Sequence, residues 1–344
     1  MACPCARSFL RRSPVGIKGI ALTYHVVDCP AARMCPSPAD EGLRNEALRA
    51  ALVAALAGRP APLLDLLARL GRGDSPRPNL RLAAAFGAEL VASPVAPDTV
   101  ARLLALLGDS DAEADKPGVF LPVAAAHGWV AMLAARVGDR GRAWAALAEL
   151  AADPRTPIRL GTLDALTSFA ARREGRRADE LVRRALDWLE LEDREIQFGA
   201  AAVVVEVFAD PRTLAALADP RALLDYLTRA IDAIADAPRA AERSDARRRL
   251  LLALPRTLAS LVSSLSRDDL GASWLEAECV RARHPDVREA LSNTLVRFAS
   301  RDADAGAVVV QRLRAALEGS AKPPRDPTRR RPGAARGKAS RRVK

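Results

Sequence analysis

Leu80–Val91 reads LRLAAAFGAELV, and 41 residues later Leu121–Met132 reads LPVAAAHGWVAM, with the leucine, the three alanines and the glycine in register. A helix written twice at such an interval marks an internal repeat of the length used by helical-pair arrays. The apolar content comes mainly from Ala, Leu and Val, and aromatic residues make up only 4%. Small side chains suit close helix-on-helix contact, and aromatic-rich strands are largely missing.

Outward from that pair, the chain beyond Met34 alternates two kinds of helix. SPADEGLRNEALRAALVAALAG opens with Ser37 as N-cap and Pro38 at the first helical position, and stops at Gly58. A first kind carries leucines three and four apart, in 62–70, 98–108, 142–150, 178–190, 221–235 and 270–280. Each is followed by a loop of Pro, Gly, Asp and Ser and then by a second kind, whose members begin near Leu80, Leu121, Ile158, Ile196, Ala246 and Val287. The intervals are 41, 37, 38, 50 and 41 residues, so the unit spanning 236–264 must hold an extended loop or an extra turn. AAVVVEVF at 201–208 has the β-branched content of a strand, but its place inside a periodic unit makes it a buried helix.

One such helical pair cannot hide its apolar face alone, and stacking the next pair on it turns the core into a seam running along the array. Ala83–Ala85, Ala124–Ala126 and Ala200–Ala202 then let neighbouring helices approach closely. The helices at 38–57 and 305–318 cover the two ends. A compact bundle of Ala-rich helices is the other architecture open to this pattern.

The turn-and-helix openings DPRTPIR (Asp153–Arg159) and HPDVR (His284–Arg288) resemble the HEAT-repeat family, whose second helices commonly follow a turn such as Asp-Pro with Val-Arg. The resemblance spans roughly 60–300 and is carried by two or three units. It implies an all-α fold, a right-handed α-solenoid of about six HEAT-like hairpins with second helices on the concave side. That side offers Arg159, Gln197, Arg247, Arg288, Asn293 and Arg297 as polar candidates. In the family the arginine after the branched residue pairs with a turn aspartate about six positions earlier. Asp153 and Arg159 fit that spacing, so Arg159 is read as structural, leaving Gln197, Arg247, Arg288, Asn293 and Arg297 as partner-binding candidates and Arg288 as the freest.

The expected organisation is a leader at 1–36, disordered or non-native, the helical array at 37–319 and a disordered basic tail at 320–344. The net charge of +11 belongs to the ends: 321–344 contributes +9 and 1–19 contributes +4, leaving 20–320 at −2. A near-neutral body argues against a DNA cradle. The tail lacks the apolar residues needed to offset ordering. Its Arg329, Arg330, Arg331, Arg336, Lys338, Arg341 and Arg342 form either a non-specific nucleic-acid contact or an inert solubilising end. Arginine outnumbers lysine 48 to 5, which reflects coding composition rather than phosphate chemistry.

Candidate chemistry is sparse. Cys3, Cys5, His25, Cys29 and Cys35 have zinc-binding residue types without zinc-site spacing, and translation from Met34 would omit all but Cys35. GDSDAEAD at 108–115 alternates acids as a calcium loop does, yet Ala114 and Phe120 stand where such a loop needs Gly and Glu. His127 is expected as a core histidine and His284 as a turn residue. No catalytic residue, metal site or cofactor site is expected, nor a membrane span, since no apolar run reaches about 18 residues. Five cysteines without a disulfide pattern point to the cytoplasm.

Two function classes remain. One is a non-catalytic scaffold binding a protein partner on its concave face. The other is a DNA-binding solenoid or glycosylase resembling the DNA-alkylation-repeat proteins, for which Asp187 beside Trp188, with Trp129, Trp144 and Trp274, would be the residues to inspect.

Overall fold

The computed structural model describes residues 38–72, 77–238, 240–265, 269–300 and 306–320. The chain divides into two units, Met1–Arg44 and Asn45–Lys344, and the helical series from Ala61 onward belongs to the second. The leader and its cysteine–histidine group, and the seven candidate residues of the basic tail from Arg329 to Arg342, lie outside the described residues.

Described residues form α-helices and short 3-10 turns with no strand, so the all-α expectation holds. After α1 (Pro38–Leu56), the first-kind helices are α2 (Ala61–Arg72), α4 (Pro97–Gly108), α6 (Arg140–Ala152), α8 (Arg177–Leu189), α11 (Pro220–Ala235) and α13 (Leu270–Arg281). The second-kind helices are α3 (Leu80–Ala92), α5 (Phe120–Ala135), α7 (Thr156–Ala170), α9 (Arg194–Val207), α12 (Asp245–Ser264) and α14 (Pro285–Ala299). α15 (Gly306–Gly319) closes the series, and a short α10 (Pro211–Ala216) intervenes between α9 and α11. The 50-residue interval from Ile196 to Ala246 therefore has two sources, α10 ahead of the expected place and the 3-10 turn Ala241–Arg243 within it, before α12 begins. AAVVVEVF is helical, in α9 and the turn after it.

Local chemistry sets these boundaries. Asp139, Asp193, Asp210, Asp219 and Ser244 each accept a backbone N–H in the first turn of the helix they precede, and each such cap stabilises by about 1 kcal/mol. Asn79 caps α3 and also donates to the Leu70 carbonyl at the end of α2, joining the hairpin at its turn. His284 caps α14 by accepting from Asp286 N–H at 3.2 Å, which gives the expected turn residue a specific task.

Second-kind helices pack in chain order: α3 on α5, α5 on α7, α7 on α9, α9 on α12, α12 on α14. α15 lies on α13 and α14. Close approach depends on missing side chains. A Cβ added at Gly87 would stand 2.8 Å from the His127 carbonyl oxygen, and one at Gly199 would stand 2.6 Å from Ala152 Cα. Ala124–Ala126 of α5 and Ala200–Ala202 of α9 are all buried, whereas of Ala83–Ala85 only Ala83 is.

α5 is apolar on every side, the mark of a helix surrounded by others. It packs against α2, α3, α4, α6 and α7. Together with its 3-10 opening, Pro117–Ala135 is long and apolar enough to cross a membrane, contrary to the expectation that no such run exists, and most of it is buried inside the protein.

Candidate binding face

Two clefts that share Leu252 join α7, α9, α12 and α14 along one side of the second unit. Three leucine and valine side chains stand out from it: Leu252 is 71% exposed, Val296 62% and Leu160 41%. The reason for Leu252 is helical geometry. Leu250, Leu254, Leu258 and Leu261 form the buried stripe of α12, and a residue two positions from Leu250 points about 200° away from it.

Charges of both signs surround these apolar residues. A cleft of about 250 Å³ between α7, α9 and α12 is lined by Arg159, Leu160, Glu206, Arg249 and Leu252 among others. Burial raises the Glu206 carboxyl, with Arg256 and Arg159 opposing the shift. Burial and the neighbouring Arg249 lower Arg159. Arg249 donates to the Ala152 carbonyl at 3.4 Å, reaching the end of α6, while its Nε is buried without a partner. At the edge, Asp210 is held low chiefly by its hydrogen bonds from Arg212. A second cleft of about 240 Å³ between α12 and α14 has Arg248, Leu252, Glu289 and Asn293 in its lining. Acids and bases thus alternate along the surface.

The structure distributes the sequence-derived candidates unevenly. Gln197 is 2% exposed and donates its amide to the Leu189 carbonyl, which closes the α8–α9 turn. Arg247 is 2% exposed, pairs with Asp286 at 2.7 Å and donates to the Ile234 carbonyl at 3.3 Å, tying α11, α12 and α14 together. Both therefore serve the fold, because side chains so buried cannot reach a partner. Arg288 donates to the Ser320 hydroxyl, which docks the end of α15, so it is not free either. Asn293 and Arg297 are exposed on α14.

Arg159 is structural in a different way from that expected. It donates to the Asp153 carbonyl at 2.8 Å, to the Pro154 carbonyl and to Thr156 Oγ1. The Asp153 carboxylate is taken by Arg155 through two contacts, at 3.0 and 2.7 Å. Arg155 also donates to the carbonyls of Ser110 and Ala112, fastening the acidic connector before α5.

Leu160, Glu206, Arg249, Leu252 and Val296 escaped the sequence reading. The triple leucine at 250–252 held the signal, since no helix can bury residues 250 and 252 on one stripe.

A separate cleft of about 440 Å³ lies between α3, α5 and α7. His127 lines it and is 6% exposed, and burial lowers its pKa from 6.5 to about 4, leaving a neutral imidazole. Its Nε2 has no hydrogen-bond partner, with Asp164 Oδ2 3.7 Å away. An unmet buried polar group of this kind costs about 1–3 kcal/mol.

Trp129, Trp144 and Trp188 are buried. Trp144 stacks edge-on against Phe169 and Trp188, with ring centroids 5.6 and 6.0 Å away. Trp274 donates to Thr228 Oγ1 at 2.9 Å, and Thr228 in turn donates to Glu278. Asp187 is exposed and pairs with Arg184 at 3.0 Å. Cys279 is fully buried, and burial with neighbouring Glu278 pushes its thiol up to about 12, far from a reactive thiolate. Among the described residues, no group of three or more His, Cys, Asp or Glu is arranged to hold a metal ion.

No family model, curated protein or solved structure matches the chain.

Proposed function

We propose that the chain is a non-catalytic, HEAT-like right-handed α-solenoid whose second helices form a concave face that binds a protein partner. Support for the solenoid comes from the chain-order packing of α3, α5, α7, α9, α12 and α14 at the interval read from the sequence. A protein partner is favoured by one observation above the others: exposed Leu160, Leu252 and Val296 stand among alternating acids and bases on a single face. An apolar centre ringed by polar groups, with arginine prominent, is the anatomy of protein interfaces. A phosphate-binding groove would need an excess of positive charge, and a stacking platform would need exposed aromatics. With Trp129, Trp144 and Trp188 buried and Trp274 half-buried and bonded to Thr228, the base-excision alternative has no such platform to support it. In this reading the basic tail adds a non-specific, salt-sensitive affinity for nucleic acid, and the protein works in the cytoplasm.

The decisive experiment compares full-length protein with the Leu160→Asp/Leu252→Asp double variant. Proteins retained from an extract by the first and lost by the second are purified and their affinity remeasured, with a loss of about tenfold or more expected. Equal retention by both forms would remove this face from the proposal. For the tail, replacement of its ten basic residues by glutamine should abolish duplex-DNA binding at low salt. Undiminished binding would transfer the DNA contact to the helical body.

A further inference from the structure

The α3/α5/α7 cleft lies outside the Leu160–Leu252–Val296 surface, and two of the residues that line it, His127 and Arg177, have a polar atom short of a partner. His127 Nε2 is one. The other is Arg177, at the start of α8, whose Nη1 is buried and unpartnered while its Nη2 donates to the Ala134 carbonyl at 3.0 Å. The Arg177 guanidinium also lies over the Phe169 ring, 5.4 Å from its centroid, which fixes its plane at the cleft wall. Seven residues of α5 separate His127 from Ala134, roughly 10 Å along the helix axis. Val130, Ala131 and Ala134 line the stretch between them, facing Ala84, Ala88 and Val91 of α3.

The Arg177 end is electropositive. Arg172, which also lines the cleft, and Arg136 act on Arg177 as like charges, with Glu174 and Glu180 opposing them. Glu180 is engaged by Arg140. The side chains of Arg136 and Arg172 carry no hydrogen bond or ion pair among the described residues. The His127 imidazole is neutral and stands 3.7 Å from the Asp164 carboxyl, which burial raises against the opposing charge of Arg212. A ligand that satisfies both ends must therefore carry an anion at one end, a neutral hydrogen-bonding oxygen at the other and an apolar body between. The cleft volume of about 440 Å³ suits a small molecule.

We propose that this cleft binds a small monocarboxylate with an apolar body roughly 10 Å long and a distal hydroxyl. Its carboxylate is held by Arg177 and Arg172, its chain lies on Val130, Ala131 and Ala134, and its far oxygen meets His127 Nε2. The site does not depend on the protein-partner reading, because its residues lie outside the Leu160–Leu252–Val296 surface.

Calorimetric titration of the full-length protein at neutral pH with ω-hydroxyoctanoate tests the assignment. Saturable binding is expected, weakened about tenfold or more for ω-hydroxyoctanamide, which lacks the charge that strengthens hydrogen bonds to guanidinium. Arg172→Glu, at an exposed position, and Ala88→Trp, which fills the cleft mouth, should each weaken binding similarly with melting temperature unchanged. Octanoate should bind less tightly than the hydroxy acid to the wild type and equally to His127→Leu. Absence of saturable binding, equal affinity for the amide, or indifference to Ala88→Trp would each overturn the proposal. An apolar tripeptide with a free carboxylate binding tighter than the hydroxy acid would overturn it in favour of a peptide site. Leu160→Asp/Leu252→Asp should leave the titration unchanged, so this site and the partner face fail or survive separately.

Discussion

Two stretches of one helix series use the same packing and present different chemistry. Between α3, α5 and α7 the surface is a cleft of alanine and valine with a buried imidazole at one end and a half-buried arginine at the other. From α7 to α14 it is an open surface of exposed Leu160, Leu252 and Val296 among charges of both signs. The difference begins with α5, which is apolar all round, so the charges at its cleft come from Arg172 and Arg177 beyond it, whereas α12 itself carries four arginines, at 247, 248, 249 and 256. One scaffold thus supplies an alanine- and valine-lined cleft in one stretch and exposed leucine and valine among charges in the other.

The packing common to both stretches should break hardest. Gly199→Val places a side chain where Ala152 Cα already stands 2.6 Å from the new Cβ, and backbone cannot yield as a flexible side chain does. Chemical denaturation should show a loss of about 3 kcal/mol or more, at or beyond the upper range of overpacking. Unchanged stability would mean that α6 and α9 are not in such contact.

His127 sharpens the α3/α5/α7 side. Its folded-state pKa of about 4 lies below its ordinary 6.5, so between those values the unfolded chain binds the extra proton and stability falls as pH falls. Relative to His127→Leu, the wild type should lose about 3 kcal/mol on going from neutral pH to pH 4. Asp164, raised by burial, acts in the opposite sense in both proteins and cancels in the difference. Parallel pH profiles for the two proteins would show that His127 is not buried as a neutral group.

Arg247 gives a smaller effect on the α12/α14 side. Arg247→Met should cost about 2 kcal/mol in denaturation, because the Ile234 carbonyl loses its donor and Asp286 its cation. Asp286 is 41% exposed and recovers part of its hydration, which keeps the loss moderate. The smallest change belongs to Leu252→Asp, expected to alter stability by less than about 0.5 kcal/mol, since its side chain lies in solvent. A large destabilisation there would show that Leu252 is packed, and the open face would lose its principal anchor.

Much of the helix layout was legible because its determinants are local. Asp139, Asp193 and Asp219 precede their helices as caps, and leucine spacing marks the first-kind helices to within about two residues. The short α10 was missed although Asp210–Pro211 carries both a cap and a proline at the first helical position. The candidate sites were less legible. Arg247 and Arg297 look alike in sequence, yet one is buried against Asp286 and the other is exposed.

Periodicity, capping and composition by themselves determined that this chain is helical, where most of its helices start and that their apolar faces need neighbours. Those properties depend on residues within one or two turns of each other. Only the tertiary structure decided which arginines are consumed by the protein's own carbonyls and carboxylates, where His127 and Arg177 are left short of partners, and that Leu252 faces solvent. Those outcomes depend on groups up to 97 residues apart, as in the contact of Arg249 with Ala152, and pairing at that range is set by how helices stack rather than by any local pattern.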